Sequence, residues 1–308
     1  MFFQKTLKNA VKLTGVGLHS GDELTVTLKP ANPNNGIVFV RTDLPGMSLV
    51  EANYRNVIGT QLATSIGHGK VSIGTIEHLM AAFYLLEIDN AIVEINGPEI
   101  PILDGSAYSF CEAIVSAGIE TQFSVRPYLV LRRTVEVITG DKVAIAQPAK
   151  RLEIRSSIQW SHPIIGYQEF CYSEGETHFS QVAPARTFGF LRDVEALKKT
   201  GLIRGGSLDN AIVLDDVSVV NPGGLRFQDE FVRHKVLDAL GDIKLAGFPV
   251  RAHIVLHKSG HDLHNQLLAA VLRDPANYEI VGSSLRTERR RAAIIRTALA
   301  TGRLAASV

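Results

Sequence analysis

An order of elements that occurs twice constrains this chain most: strands, a helix, a strand, a helix. Leu24-Thr25-Val26-Thr27-Leu28 alternates with the period of a strand and is closed by Lys29-Pro30 and an Asn/Pro/Gly cluster running to Gly36. Residues 37–40 read as a second strand. A helix is expected from about Thr75, whose hydroxyl can cap it, to about Glu87, with Ile76, Leu79, Met80 and Phe83 on one side. Residues 91–95 read as a strand and 106–117 as a second helix. The order restarts after Ser124-Val125-Arg126-Pro127: strands at 135–138, 143–145 and 152–154, a helix at 229–246, a strand at 252–256 and a helix at 262–273. Residues 190–220 interrupt this second round with an amphipathic helix, a Gly201…Gly205-Gly206 hinge and the apolar strand Ala211-Ile212-Val213-Leu214. The expected fold class is α+β, with two domains of similar topology at 1–125 and 126–308, each a β-sheet layered with α-helices. No sequence identity links the halves, so the expected duplication is topological.

Composition narrows the function classes. A chain of 308 residues with 45% hydrophobic and 20% charged residues can bury real cores. Lys plus Arg is 32 against 31 for Asp plus Glu, which leaves no field for binding nucleic acid. The two cysteines, Cys111 and Cys171, form no CxxC pair, which argues against a thiolate zinc site and fits a reducing compartment. No apolar run reaches transmembrane length and the N-terminus does not read as a signal peptide, so a cytoplasmic protein is expected.

The richest stretch for chemistry runs from Phe231 to Asp242. At about 100° per residue, Val232, Val236, Leu240 and Ile243 form one apolar stripe of a helix. His234, Asp238 and Asp242 form a second stripe roughly opposite, and His234 and Asp238, four apart, can share one metal ion. On spacing alone, a solvated polar face remains the ordinary reading of such a stripe. Glu77-His78 opens the first long helix, where the N-terminal dipole disfavours imidazolium and keeps His78 able to ligate a cation. Glu77 beside it could reach a metal-bound water without being a ligand; a helix-start Glu next to a half-buried His is the plain alternative.

Residues 251–266 hold His253, His257, His261 and His264. The first two alternate along a strand and are expected to face solvent or the sheet. His261, in the loop leaving that strand, stands where scaffolds place functional groups. Arg186-Thr187, among aromatics and small residues, either lines a pocket with the Thr hydroxyl aimed at an oxyanion or is a turn packed by Phe188 and Phe190. The basic run from Arg286 to Arg291 reads as a solvated helix face, or more weakly as a surface for phosphate or lipid headgroups. Gly15-Val16-Gly17-Leu18-His19-Ser20-Gly21 is no dinucleotide loop, because Ser20 replaces the last Gly of GxGxxG and a strand follows. Neither HExxH nor GxSxG is present.

Together these segments resemble the UDP-3-O-acyl-N-acetylglucosamine deacetylases, zinc amidases of lipid A biosynthesis. The resemblance spans nearly the whole chain. It rests on the 15–21 run, Thr75-Ile76-Glu77-His78-Leu79-Met80-Ala81-Ala82, Pro101-Ile102-Leu103-Asp104-Gly105-Ser106, Ala185-Arg186-Thr187-Phe188-Gly189-Phe190, Phe231-Val232-Arg233-His234-Lys235 and Lys258-Ser259-Gly260-His261, in that order. The resemblance implies zinc on His78, His234 and Asp238 with water as fourth ligand, and iron(II) suits the same ligands. It implies Glu77 as general base, His261 as the charged histidine oriented by Asp242, and Thr187 as the hydroxyl that polarises the amide oxygen. His19, Phe188 and Lys235 match substrate-contacting positions; Trp160 matches an aromatic near the uracil, and Lys142 and Lys258 are candidate diphosphate contacts. The 190–220 insert matches a passage for the acyl chain, and the active site falls at the domain interface.

The implied reaction is hydrolysis of the N-acetyl group of UDP-3-O-[(3R)-3-hydroxyacyl]-N-acetylglucosamine, the committed step of lipid A biosynthesis. The implied partner is that acylated UDP-amino sugar. Nucleic acid is not expected, membrane contact is at most peripheral, and a monomer is expected. Two rivals stand beside this reading. A zinc amidase on another acylated amino sugar is discriminated by competition with UDP, and a non-catalytic sensor of the nucleotide sugar is discriminated by acetate release.

Overall fold

The computed structural model describes residues 2–46 and 48–282. The basic run at Arg286–Arg291 lies outside the described residues. The first half contains β1 (Phe3–Leu7), β2 (Val11–Val16), β3 (Glu23–Pro30), β4 (Ile37–Arg41), β5 (Ser48–Glu51), β6 (Val57–Gly59), β7 (Ser65–His68), β8 (Val71–Ile73), α1 (Glu77–Leu85), β9 (Ala91–Ile95), α2 (Tyr108–Ala117) and β10 (Ile119–Val125). The second contains β11 (Tyr128–Leu131), β12 (Val135–Thr139), β13 (Lys142–Pro148), β14 (Glu153–Gln159), β15 (Tyr167–Ser173), β16 (Phe188–Phe190), α3 (Leu191–Lys199), β17 (Ile212–Leu214), α4 (Glu230–Lys244), β18 (Val250–His257), α5 (His261–Arg273) and β19 (Tyr278–Val281).

The fold is α+β, and the two halves repeat one strand plan. In the first, the order is β2-β3-β9-β4-β5, with only β4 and β9 parallel. In the second, β12-β13-β18-β14-β15 follows the same order, with only β14 and β18 parallel. A parallel pair needs a crossover, and α1 and α4 lie in those crossovers. The outer pair repeats as well. β11 runs parallel to the start of β18 and antiparallel to β19, while β1 bridges Asn90 in parallel and pairs antiparallel with β10. Each half also carries an insert at the same place, between its fifth strand and its long helix. The first is the three-stranded β6-β7-β8 sheet, and the second holds β16, α3 and β17.

Each sheet turns one apolar face inward. Leu24, Val26 and Leu28 of β3 are buried, as are Val250, Ala252, Ile254 and Leu256 of β18. The alternation leaves His253 and His257 on the outer face, where they bond Glu153 and Ser157. Between the sheets α1 packs against α4, and one apolar cluster runs through both halves. Residues 77–84 of α1 are all buried, so the one-sided helix expected from the sequence is enclosed all round. Both stripes of α4 are buried as well, including His234, Asp238 and Asp242. Gly241 permits this, because a Cβ there would lie 2.1 Å from the Glu77 carbonyl oxygen.

Two expectations about helix starts change. Thr75 does not cap α1: its backbone is left-handed, at φ 54°, whereas a capping residue is usually extended. Its hydroxyl is instead given to Glu99 Oε1, at 2.8 Å. Glu99 also receives the backbone N–H groups of His19 and Ser20, so the Gly-rich 15–21 loop cradles an internal carboxylate. His261 is the first residue of α5, after an extended Gly260, and not a loop residue.

Candidate active site

Three buried side chains converge where α1 meets α4. Potential ligand atoms of His78, His234 and Asp238 lie within 4.8 Å of one another. Asp238 Oδ1 is 3.3 Å from His234 Nε2 and 3.8 Å from His78 Nε2. Two ligands of one tetrahedral zinc with bonds near 2.1 Å lie about 3.4 Å apart. The tautomer of His234 follows from its other nitrogen: Nδ1 faces the Ala185 carbonyl at 3.0 Å and must donate to it, leaving an Nε2 lone pair aimed at Asp238. Burial lowers the pKa of His234, and burial with His234 alongside lowers that of His78 to about 3, so both rings are neutral. Burial opposes ionisation of Asp238, but the positive charges of Lys235 and His261 nearby outweigh it and hold the carboxyl well below its usual range. Asp238 Oδ1 is buried and has no hydrogen-bond partner among the described residues. Lone pairs meeting at a buried point leave an acceptor unsatisfied, and a cation satisfies them. The donor set therefore fits a metal ion.

A second buried group, Asp242, His261 and His264, is close enough to ligate. Here Asp242 Oδ2 lies 2.8 Å from Nδ1 of each histidine, the separation of a hydrogen bond. These N–H groups converge on a carboxylate, so protons already balance this group, as a cation would balance the first. Burial opposes charge on His261, but Asp242 and Glu77 raise its pKa to about 10. Burial also opposes ionisation of Asp242, but His261 carries it down to about 2. Glu77 sits between the two groups with Oε1 3.8 Å from His261 Nε2, and burial raises its pKa to about 7. A carboxyl near neutrality beside an imidazolium is an acid–base pair set apart by environment.

A cleft of about 1080 Å³ opens over these groups, lined among others by His19, Lys142, Trp160, Thr187, Phe188, Lys235, Lys258, Glu77, His78 and His261. That is the upper end of the size of small-molecule sites. Both inserts add to the wall: Thr60 and Leu62 from the first, and Val194, Leu197, Ile203 and Val213 from the second. Phe188 packs edge-on against Trp160 and Phe231. Lys235 Nζ lies 3.0 Å from Asp238 Oδ2 and 5.5 Å from the centre of the Phe188 ring, so its nearest partner is a candidate ligand. Lys258 is paired with Asp141 at 2.6 Å. The Arg186-Thr187 run does not form a turn at its aromatics, since Phe188 to Phe190 is the strand β16. Arg186 forks onto the fully buried Glu230, while Thr187 and Phe188 face the cleft.

Sequence reasoning gave little weight to His264 and did not find Thr64 or Glu230. His264 sits three positions after His261, a helical spacing that places both on one face. Thr64 and Glu230 act on partners far along the chain and carry no local signal.

A buried trio able to hold a cation, flanked by a carboxyl near neutrality and an imidazolium, fits one class, the metal-dependent hydrolases. Sequence comparison narrows it. The family model for UDP-3-O-acyl N-acetylglycosamine deacetylase matches residues 4–273, and the chain belongs to that family. A UDP-3-O-acyl-N-acetylglucosamine deacetylase of Myxococcus xanthus is 52% identical over 279 residues, covering 90% of this chain and 89% of the relative. One from Geobacter sp. strain M21 is 47% identical, covering 91% and 92%. One from Haemophilus influenzae strain PittEE is 46% identical, covering 91% and 93%.

Proposed function

We propose that this chain hydrolyses the N-acetyl group of a UDP-3-O-[(3R)-3-hydroxyacyl]-N-acetylglucosamine to the free amine and acetate, with one zinc ion held by His78, His234 and Asp238. The observation that carries the reading is the unsatisfied Asp238 Oδ1 facing two neutral imidazoles at the floor of the cleft. An ion held by these three residues would supply Lewis acidity for activating water and polarising the amide carbonyl. Glu77, with its pKa near neutrality, takes a proton from the attacking water. Protonated His261 and the Thr187 hydroxyl stabilise the developing oxyanion. Asp242 holds His261 charged and aims its Nε2 toward the reacting centre. The departing amine needs a proton, and His261 and Glu77 are the groups placed to give it.

The reading takes residues 1–125 and 126–308 as two domains that share the site. The apolar wall of the second insert takes the acyl chain, and His19, Phe188, Lys235 and Trp160 meet the remainder of the substrate. Lys142 and Lys258 at the cleft rim suit a diphosphate. Cytoplasmic residence and a monomeric state belong to the same reading. Cys111 and Cys171 are free thiols, and among the described residues no helix is long and apolar enough to cross a membrane.

Acetate release from the acylated UDP-sugar is the test. Turnover that chelation abolishes and zinc restores supports the reading. Turnover indifferent to chelator, or none with zinc present, overturns it.

A further inference from the structure

Thr64 lies in the segment leading into β7, 2% exposed and behind the cleft wall, where it has no access to substrate. Its peptide N–H donates to Glu77 Oε2 at 3.0 Å, and its hydroxyl donates to Asp242 Oδ1 at 2.6 Å. Its carbonyl accepts the N–H of Ile76 at 3.2 Å, which fastens the segment to the start of α1. One residue of the first insert thus grips a carboxyl on α1 and a carboxylate on α4. The 2.6 Å bond is of the short, charge-assisted kind.

We infer that Thr64 is a positioning residue for proton transfer, fixing Glu77 and Asp242 relative to each other. The inference rests on the hydrolase reading of Glu77 and His261. Asp242 has three donors on two oxygens: Thr64 on Oδ1, and His261 and His264 on Oδ2. The two histidines pull on the same oxygen and leave the other free to swing. The Thr64 hydroxyl is the donor that stops the carboxylate from rotating, and so holds the His261 ring facing Glu77. The β-branched side chain has few χ1 rotamers, so the hydroxyl itself is held in place. Ser259, bonded to His264 Nε2 at 2.9 Å, closes the far end of the chain of hydrogen bonds.

Three variants separate positioning from simple anchoring of a loop. Thr64→Val removes the hydroxyl and keeps the shape, Thr64→Ala removes it with room to spare, and Thr64→Ser keeps it. In zinc-loaded enzyme Thr64→Val is expected to lower kcat about 10- to 100-fold, with KM and bound zinc at wild-type levels. Thr64→Ser is expected to recover most of that loss. If Thr64→Val does not fold, Thr64→Ala carries the comparison. Wild-type kcat in the hydroxyl-free variant, equal impairment in Thr64→Ser, or a loss confined to KM or zinc content overturns the inference. A crystal structure of the hydroxyl-free variant decides independently of the substrate. The Asp242 carboxylate turned from its present position supports the inference; Asp242, His261 and Glu77 unmoved overturns it. Wild-type enzyme inactive on any acylated UDP-sugar refutes the deacetylase reading, and the structural comparison still decides the role of Thr64.

Discussion

Replacing Gly241 with alanine tests how far the site depends on the contact between its two long helices. A Cβ at this position would lie 2.1 Å from the Glu77 carbonyl oxygen, 2.8 Å from its carbonyl carbon and 3.0 Å from its Cα. All three are backbone atoms at the start of α1, so no side-chain end can swing aside. A carbon needs about 3.3 Å from a carbonyl oxygen, so Gly241→Ala must part the helices by about 1.2 Å. His78 rides on α1 and Asp238 on α4, and their facing atoms are 3.8 Å apart. Parting along that line takes them to about 5 Å, whereas one ion with bonds near 2.1 Å spans at most about 4.2 Å. The variant is therefore expected to lose tight zinc binding and at least about 100-fold in kcat. Overpacking should cost about 1–3 kcal/mol in stability. The measurements are metal content after dialysis, acetate release and a thermal melt. Gly223→Ala serves as the control, since no atom of the described residues lies within 4 Å of a Cβ there. A folded Gly241→Ala enzyme with wild-type zinc content and kcat would refute the reasoning.

Three further outcomes follow from the same geometry. Glu77→Gln should keep zinc and lose turnover, since Glu77 stands outside the converging trio; loss of metal on dialysis would make it a ligand instead. Asp238→Ala should abolish tight metal binding, because it removes the carboxylate that both imidazoles face; zinc titration showing unchanged affinity would contradict this. The reaction needs Glu77 ionised and His261 protonated, so the rate should rise with pH through the Glu77 pKa and fall through that of His261. In the metal-free site these are about 7 and about 10. A bound divalent cation favours the carboxylate and disfavours the imidazolium, so in the zinc enzyme the acid limb should lie below 7 and the alkaline limb below 10. A pH–rate profile flat on both sides would remove the acid–base pair from the mechanism.

Much of the fold follows from patterns a few residues long. The alternation in β3, the boundaries of β9 and the long period of α4 are local, and so is the order of elements that repeats across the halves. The short strands β6, β7 and β8 escaped, because three or four residues are too few to show a period. Enclosure of α1 and α4 escaped too, since a polar stripe reads as solvated until another element is known to cover it.

The sequence by itself determined which side chains could do chemistry: His234 and Asp238 at helical spacing, and Glu77 beside His78. It also determined the α+β order that carries them. Only the tertiary structure decided that they meet. The Thr64–Asp242 bond spans 178 positions, and the contact at Gly241 closes one half of the chain onto the other. The charge states were decided there as well, because neutral imidazoles, a carboxyl near neutrality and an imidazolium follow from burial and from neighbours distant along the chain. Spacing along a chain records what one helix or strand presents, whereas desolvation and lone-pair convergence arise only when separate elements pack together.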